Sequence, residues 1–230
     1  MIDEAINYPR NGDDALVTII IGGVLTLFSF LLVPLLPLYG YLMNVLRSGM
    51  DDGEEPPAFE NWEALFVEGV TVFLVTVAYF LVPLVILTVT VGGAVVSIVA
   101  GDAGAGALLG AVAGVSLAAL VSLVFYYVLP AGLANFARSG EVGSAFALGE
   151  LRPVLFSGTY AKGWLLGLAV ILVAGVVAGL LNAVPLIGTV AGVFVTFYGA
   201  VAAFYIYGRT FEAATRSPEP PGSPAGQPAA

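Results

Sequence analysis

Two residue types that carry much of protein chemistry are missing from this chain. It has no cysteine and no histidine. The absence of thiols excludes disulfides, thiolate catalysis, iron–sulfur ligation and cysteine-zinc sites. Without imidazole, most transition-metal sites lose their commonest ligand. We therefore expect no metal, no cofactor and no catalytic residue, and we predict that the protein is not an enzyme.

Charge is also scarce. Only 10% of the 230 residues are charged, whereas 59% are hydrophobic and the mean hydropathy is +1.00. A soluble domain carries about 25% charged residues. A chain this apolar could not cover its own core in water, so its main partner is predicted to be a lipid bilayer.

The few charges are mostly negative. Sixteen acidic residues stand against seven basic ones, which gives a net charge of -9. Nucleic-acid binding needs a basic surface, so we expect no nucleic-acid partner. An acidic surface with a single lysine is typical of proteins that stay hydrated in strong salt, and it favours a halophilic archaeon as the source.

Long runs without charge predict the membrane spans. Three runs each fit one span of about 20 residues, and a fourth is long enough for two. The fourth run is interrupted around Pro185, where we place a tight hairpin. The sequence thus predicts an all-α, polytopic transmembrane helical bundle, a single membrane domain over residues 1–213, with a disordered proline-rich tail over 214–230. The five predicted spans are 15–46, 69–99, 104–137, 163–182 and 186–208.

The first of these runs is longer than one span requires. A straight helix over 15–46 would exceed the hydrocarbon core of about 30 Å, and we expect Pro34 and Pro37 to kink it. A re-entrant or half-helix segment in one of the long runs is the alternative, and the sequence leaves it open.

Five spans would place the two termini on opposite faces of the membrane. Six basic residues fall on one predicted face, and Arg10 alone falls on the other. Because basic residues accumulate on the cytoplasmic side, we predict a multi-pass protein of the cell membrane with its N-terminus outside and its C-terminus in the cytoplasm.

Two predicted cytoplasmic loops carry similar amphipathic patterns. Each begins with Arg-Ser-Gly and continues to a phenylalanine that is followed by a glutamate four residues later. We expect each loop to contain a short interfacial helix that meets the lipid surface or a membrane or cytoplasmic protein partner. Ordinary cytoplasmic connectors would look much the same, so an internal repeat is only one interpretation. The candidate loop residues are Arg47, Phe59, Trp62, Phe66, Arg138, Phe146 and Arg152.

These same loops, with the helix ends beside them, carry a recognisable pattern of residues. Its positions are Gly40, Tyr41, Leu46, Arg47, Gly53, Glu54, Pro57, Phe59, Trp62, Leu65, Phe66, Gly69, Ala145, Phe146, Tyr205, Tyr207, Gly208 and Arg209. In this pattern the chain resembles the archaeal and bacterial family DUF4013, a domain of unknown function that is common in haloarchaea. The resemblance covers residues 1–213 and implies a multi-pass membrane protein, without implying any catalytic or binding residue.

Small residues recur at four-residue spacing on the third predicted span. Gly106, Gly110 and Gly114 would share one helix face and allow a neighbouring helix to approach closely. We favour packing within the chain, and a homo-oligomer is the alternative.

No charged residue falls inside a predicted span, which disfavours coupled ion transport. We therefore predict a protein of scaffolding, assembly or envelope-maintenance type that acts through its cytoplasmic loops. The alternative is a small permease or channel subunit for a neutral or weakly polar solute. A membrane-embedded enzyme acting on lipid is a third and weaker hypothesis, because the usual acid–base and nucleophilic groups are missing.

Overall fold

The computed structural model describes residues 2–101 and 104–216 of the chain. In these ranges the backbone is helical, with short 3-10 turns at Tyr8–Arg10, Ser29–Leu31 and Val142–Phe146. Residues 217–230 of the predicted tail lie outside the described part. The α-helices are α1 Ile2–Asn7, α2 Ala15–Leu27, α3 Leu35–Met50, α4 Trp62–Val99, α5 Ala105–Ser139, α6 Leu148–Leu155, α7 Gly158–Leu181 and α8 Ile187–Thr215.

Four of these helices, α4, α5, α7 and α8, are long and apolar enough to cross a membrane. They form two antiparallel hairpins, one of α4 with α5 and one of α7 with α8. The α7–α8 connection covers residues 182–186, where Pro185 had suggested a tight turn. The prediction of a helical membrane protein is therefore confirmed. The four spans predicted after residue 61 correspond to these four helices.

The first charge-free run is not one long helix. It is divided into α2 and α3 by residues 28–34, where Leu32 has a φ of 63°. Helix α2 has 13 residues, or about 20 Å, which is short of the hydrocarbon core of about 30 Å. The prediction of a continuous, kinked span over 15–46 was wrong, because Pro34 lies at the N-terminus of α3 and not within a helix.

The backbone turn between α2 and α3 satisfies its amide groups locally. The amides of Leu31, Leu32 and Val33 donate to carbonyls two or three residues earlier, at 2.8–3.0 Å. The amide of Leu35 donates to the carbonyl of Leu32 at 3.1 Å, and Pro34 has no amide hydrogen. Such local bonding is what non-helical backbone needs where water is absent.

Helix α2 begins at the end of the bundle where helix α3 ends. Tyr8, before α2, stacks on Tyr205 near the end of α8, with ring centroids 3.9 Å apart. The Tyr8 hydroxyl also donates to the Ser48 hydroxyl near the end of α3, at 2.8 Å. Residues 15–50 therefore form a re-entrant hairpin of α2 and α3, which starts and ends at the same end of the bundle, so the N-terminal segment around Tyr8 lies beside the C-terminal part of α8.

Most of the buried core lies in the half of the bundle where these segments meet. Beyond Pro83, no side chain of α4 is buried, and the next buried residue in the described part of the chain is Gly114 of α5. The far halves of the two spanning hairpins therefore present apolar side chains outward, as expected where lipid replaces water around the helices.

Glycines of α3 and α4 allow these two helices to approach closely. A Cβ added at Gly69 would clash with the Leu36 carbonyl, and one added at Gly40 would clash with the Leu65 carbonyl. Of the glycines predicted to pack, Gly114 faces Thr90 of α4. Gly106 and Gly110 have nothing within 4 Å of an added Cβ, so the packing expected of them within the chain does not occur.

Candidate functional site: the charged end of the bundle

The charged end comprises the N-terminal segment, the last turns of α3 and α5 with the loops that follow them, the first two turns of α7, and the C-terminal part of α8. All seven basic residues of the chain lie here, whereas the turn between α7 and α8 at the other end carries no charge. The five-span prediction puts Arg10 on the opposite face. In the structure, Arg10 lies at the charged end, because the re-entrant hairpin starts and ends at this end of the bundle.

One ion-pair group ties the N-terminal segment and the first loop to α8. Arg209 contacts Glu4 at 2.8 Å and Asp52 at 3.3 Å. Arg216 contacts the other oxygen of Asp52 at 3.7 Å and Glu212 at 3.4 Å. These pairs are partly exposed, so each adds little stability alone, but together they fix the positions of three separate segments.

A second group joins α3, α4 and α5. Arg47 contacts Glu68 through two N–H groups, one of them at 2.9 Å from Oε2. The same guanidinium donates to the Asn44 side chain at 3.1 Å and to the Ala137 carbonyl at 3.4 Å. With two-thirds or more of each side chain covered, this pair is the better protected of the ion pairs at the charged end.

Arg138 joins α5 to α8. Its guanidinium contacts Glu212, donates to the Thr215 hydroxyl at 2.8 Å, and lies 4.8 Å from the centre of the Phe211 ring. Arg138 is therefore a helix-joining residue in the folded chain, although sequence analysis had selected it as a candidate partner contact.

Tyrosine side chains lie beneath the ion pairs. Burial raises the pKa of Tyr8 to about 12, so its hydroxyl stays protonated and donates to Ser48. Tyr79 donates to the Ala145 carbonyl at 2.5 Å, which ties the second loop to α4. These contacts hold the loops in place without leaving a titrating group near neutral pH.

The first loop does not contain the separate interfacial helix that was expected. Phe59 is buried and stacks on Tyr41, with ring centroids 4.0 Å apart. Asn61 then caps α4, which runs without a break from Trp62 into the membrane. Trp62 and Phe66 lie on the first turns of that span and are 48% and 40% exposed.

The second loop does contain a short amphipathic helix, α6. Leu151 and Val154 of α6 are buried, whereas Leu148 and the following Phe156 are exposed. Arg152 faces outward, and no carboxylate among the described residues lies within ion-pair distance of it. The side chain of Phe146, 43% exposed, stacks on Tyr79 with ring centroids 5.2 Å apart.

The sequence analysis missed the partners of these arginines. The patterns in the sequence indicate no role for Asp52 or Glu68. The only available signal for Glu68 was a carboxylate at the boundary of a charge-free run. Its pairing with Arg47 depends on how α3 crosses α4, which sequence spacing does not specify.

Two cavities open between the charged residues, with volumes of about 460 and 510 Å³. Both are lined by arginines together with carboxylates, and the arginines are already paired. Within residues 2–101 and 104–216, no group of three potential metal ligands lies close enough to hold an ion. The charged end is therefore suited to holding segments together and to meeting a polar surface.

The membrane-embedded part offers no comparable polar surface in the described residues. The hydroxyls of Thr76, Thr88 and Thr196 each donate to a carbonyl of their own helix at 2.8–2.9 Å. A groove of about 490 Å³ between α4 and α5 is lined almost entirely by apolar side chains such as Phe80 and Leu84.

The family described as "Protein of unknown function (DUF4013)" matches residues 15–183. The chain belongs to this family. The matched range contains the re-entrant hairpin, both loops of the charged end, and three of the four spanning helices. No curated protein and no solved structure matches the chain.

Proposed function

We propose that this DUF4013 protein is a non-enzymatic membrane scaffold of assembly or envelope-maintenance type, which acts through its charged end. The supporting observation is the distribution of structure along the bundle. Among the described residues, the re-entrant hairpin, both loops and six ion pairs gather at one end, whereas the far halves of the spanning helices bury few side chains.

We further propose that the charged end faces the cytoplasm. All seven basic residues lie there, a stronger bias than the six to one expected from five spans. This orientation places both termini in the cytoplasm, in contrast to the sequence-based expectation of an outside N-terminus.

The proposed contact surface is the exposed aromatic rim of the charged end, defined as Trp62, Phe66, Phe146 and Phe156. These side chains are 40–83% exposed and lie in the two loops of the charged end or on the first turns of α4. Aromatic rings of this kind can bury large areas against a partner, and they also anchor proteins at the membrane interface. The membrane-embedded groove between α4 and α5 is apolar, which disfavours the permease alternative.

Purification from native membranes tests the proposal. The full chain should retain a stoichiometric protein partner, and W62A/F66A should lose it because the apolar contact area on α4 is removed. The control L81A/V85A changes two exposed residues with the same spacing further along α4, and it should retain the partner. A purified single chain that carries a neutral solute across liposomes would instead support the permease alternative and contradict the scaffold.

A further inference from the structure

A second groove lies on the outer side of the α7–α8 hairpin. It has a volume of about 380 Å³ and opens to the surroundings of the bundle. Leu166, Val173 and Val177 of α7 form one wall, and Tyr198 and Ala202 of α8 form the other. Its lining is apolar except for the Tyr198 hydroxyl, so an apolar occupant fits it better than a polar solute.

Helix α1 lines the part of the groove nearest the charged end. Ile2 and Ile6 contribute to its lining, and each remains 44–45% exposed. The Tyr198 hydroxyl donates to the Ile6 carbonyl, which fixes α1 across this end of the groove. The groove is therefore made by three separate segments and is more than the furrow between two adjacent helices.

The length of the groove favours a lipid chain over a protein helix. From Leu166 to Val177 the groove follows α7 for about 16 Å, which is about half of the hydrocarbon core of about 30 Å. A partner helix that crosses the membrane would need contacts over the whole core. One acyl chain of a lipid in the nearer leaflet needs only half of it.

Two basic side chains without ion-pair partners lie near the mouth of the groove. Lys162 is exposed and precedes Leu166 by four residues, so it continues the groove-lining face of α7 toward the charged end. Arg10 acts electrostatically on Tyr198 and donates to the side chain of Asn7. Among the described residues, neither cation has a carboxylate within ion-pair distance, whereas Arg47, Arg138, Arg209 and Arg216 are all paired.

We propose that the α7–α8 groove binds one acyl chain of an anionic phospholipid, whose phosphate is attracted by the positive charges of Arg10 and Lys162. Basic residues between helices at the cytoplasmic side of a membrane are suited to anionic headgroups, and their long side chains reach the interface. Asp3 and Glu4 also lie on α1, but Glu4 is paired with Arg209. The site is independent of the proposed scaffold partner, so either proposal can fail without the other.

Native mass spectrometry of the purified full-length protein tests this site. After exchange into detergent with equal amounts of phosphatidylglycerol and phosphatidylcholine of identical chains, the protein should retain one phosphatidylglycerol, favoured by about tenfold. R10Q/K162Q should abolish the preference, because both positive charges are removed. A169F should reduce retention of both lipids, since an exposed position in the groove is filled.

Two matched variants control for loss of charge and for added bulk. R152Q removes another unpaired cation, and L172F enlarges an exposed α7 side chain outside the groove. Both should retain the lipid as the unchanged protein does, with equal helicity in circular dichroism. Equal retention of the two lipids by the unchanged protein would overturn the proposal. So would a preference that survives R10Q/K162Q, or the same loss of lipid in the controls.

Discussion

At the scale of single residues, the closest helix contacts depend on glycines that composition alone does not distinguish. The glycine-rich face of α5 looked like the packing surface, yet Gly110 meets open space and Gly69 of α4 meets the backbone of α3. The four-residue spacing correctly places these glycines on one face of α5. Which glycine faces a neighbour depends on how the helices cross, and the sequence of one helix does not contain that information.

The first prediction compares these two glycines. G69L should lower the free energy of unfolding by about 3 kcal/mol or prevent folding, because its side chain has no room beside the Leu36 carbonyl. G110L should change it by less than about 0.5 kcal/mol. Thermal unfolding in detergent measures both. Equal destabilisation by the two variants would mean that α5 packs through Gly110, against the structure.

A second prediction concerns the Arg47–Glu68 pair. E68Q should cost about 1–3 kcal/mol, since Arg47 would keep its partly buried charge and lose a charged partner. R47M/E68Q should cost less than the sum of the two single changes, because no unpaired charge remains. A double-mutant cycle by thermal unfolding measures the coupling. Strict additivity would show that the two side chains do not interact in the membrane.

At the scale of elements, the four spanning helices could be predicted from sequence, and the re-entrant hairpin could only be left open as an alternative. Charge-free runs correspond to spanning helices because charge is costly in the bilayer core. A segment that enters the bilayer and returns to the same side of the membrane is equally free of charge. The positive φ at Leu32 and the local hydrogen bonds of the turn have no signal in a stretch of leucine, phenylalanine and valine.

The third prediction tests the depth of this hairpin. The chain has no cysteine, so F30C would carry a single thiol at the 74%-exposed tip of the turn. A membrane-impermeant maleimide should not label it in intact or permeabilised cells, because the tip lies in hydrocarbon. Labelling should appear only after denaturation in detergent. Modification from either side of the native membrane would contradict a lipid-embedded tip.

At the scale of the whole molecule, the ion pairs hold the N-terminal segment, the first loop and the C-terminal part of α8 together. The sequence indicates a basic face, but the number of spans determines which segments belong to it. In the orientation that we propose, one segment that does not cross is enough to move the N-terminal segment to the other side of the membrane. The loop residues selected from the sequence fall into two groups. Arg47, Phe59 and Arg138 join elements of the fold. The side chains that remain exposed are Trp62, Phe66, Phe146 and Arg152.

The fourth prediction tests the side on which the termini lie. D14C and S139C should both be protected from an impermeant maleimide on intact cells, and both should react after permeabilisation. G104C, in the connection between α4 and α5, should react on intact cells. Labelling of D14C with protection of S139C would restore the five-span topology and exclude the re-entrant hairpin.

The re-entrant hairpin also has a consequence for how the protein is made. If the first run crossed the bilayer, the cell would have to export the segment that carries Asp3, Glu4, Asp13 and Asp14. In the orientation that we propose, the charged end is on the side of synthesis, and these carboxylates never leave that side. The N-terminal third of the chain can then enter the membrane without a translocated segment, and the end of α4 is the first part of the polypeptide that must be carried across.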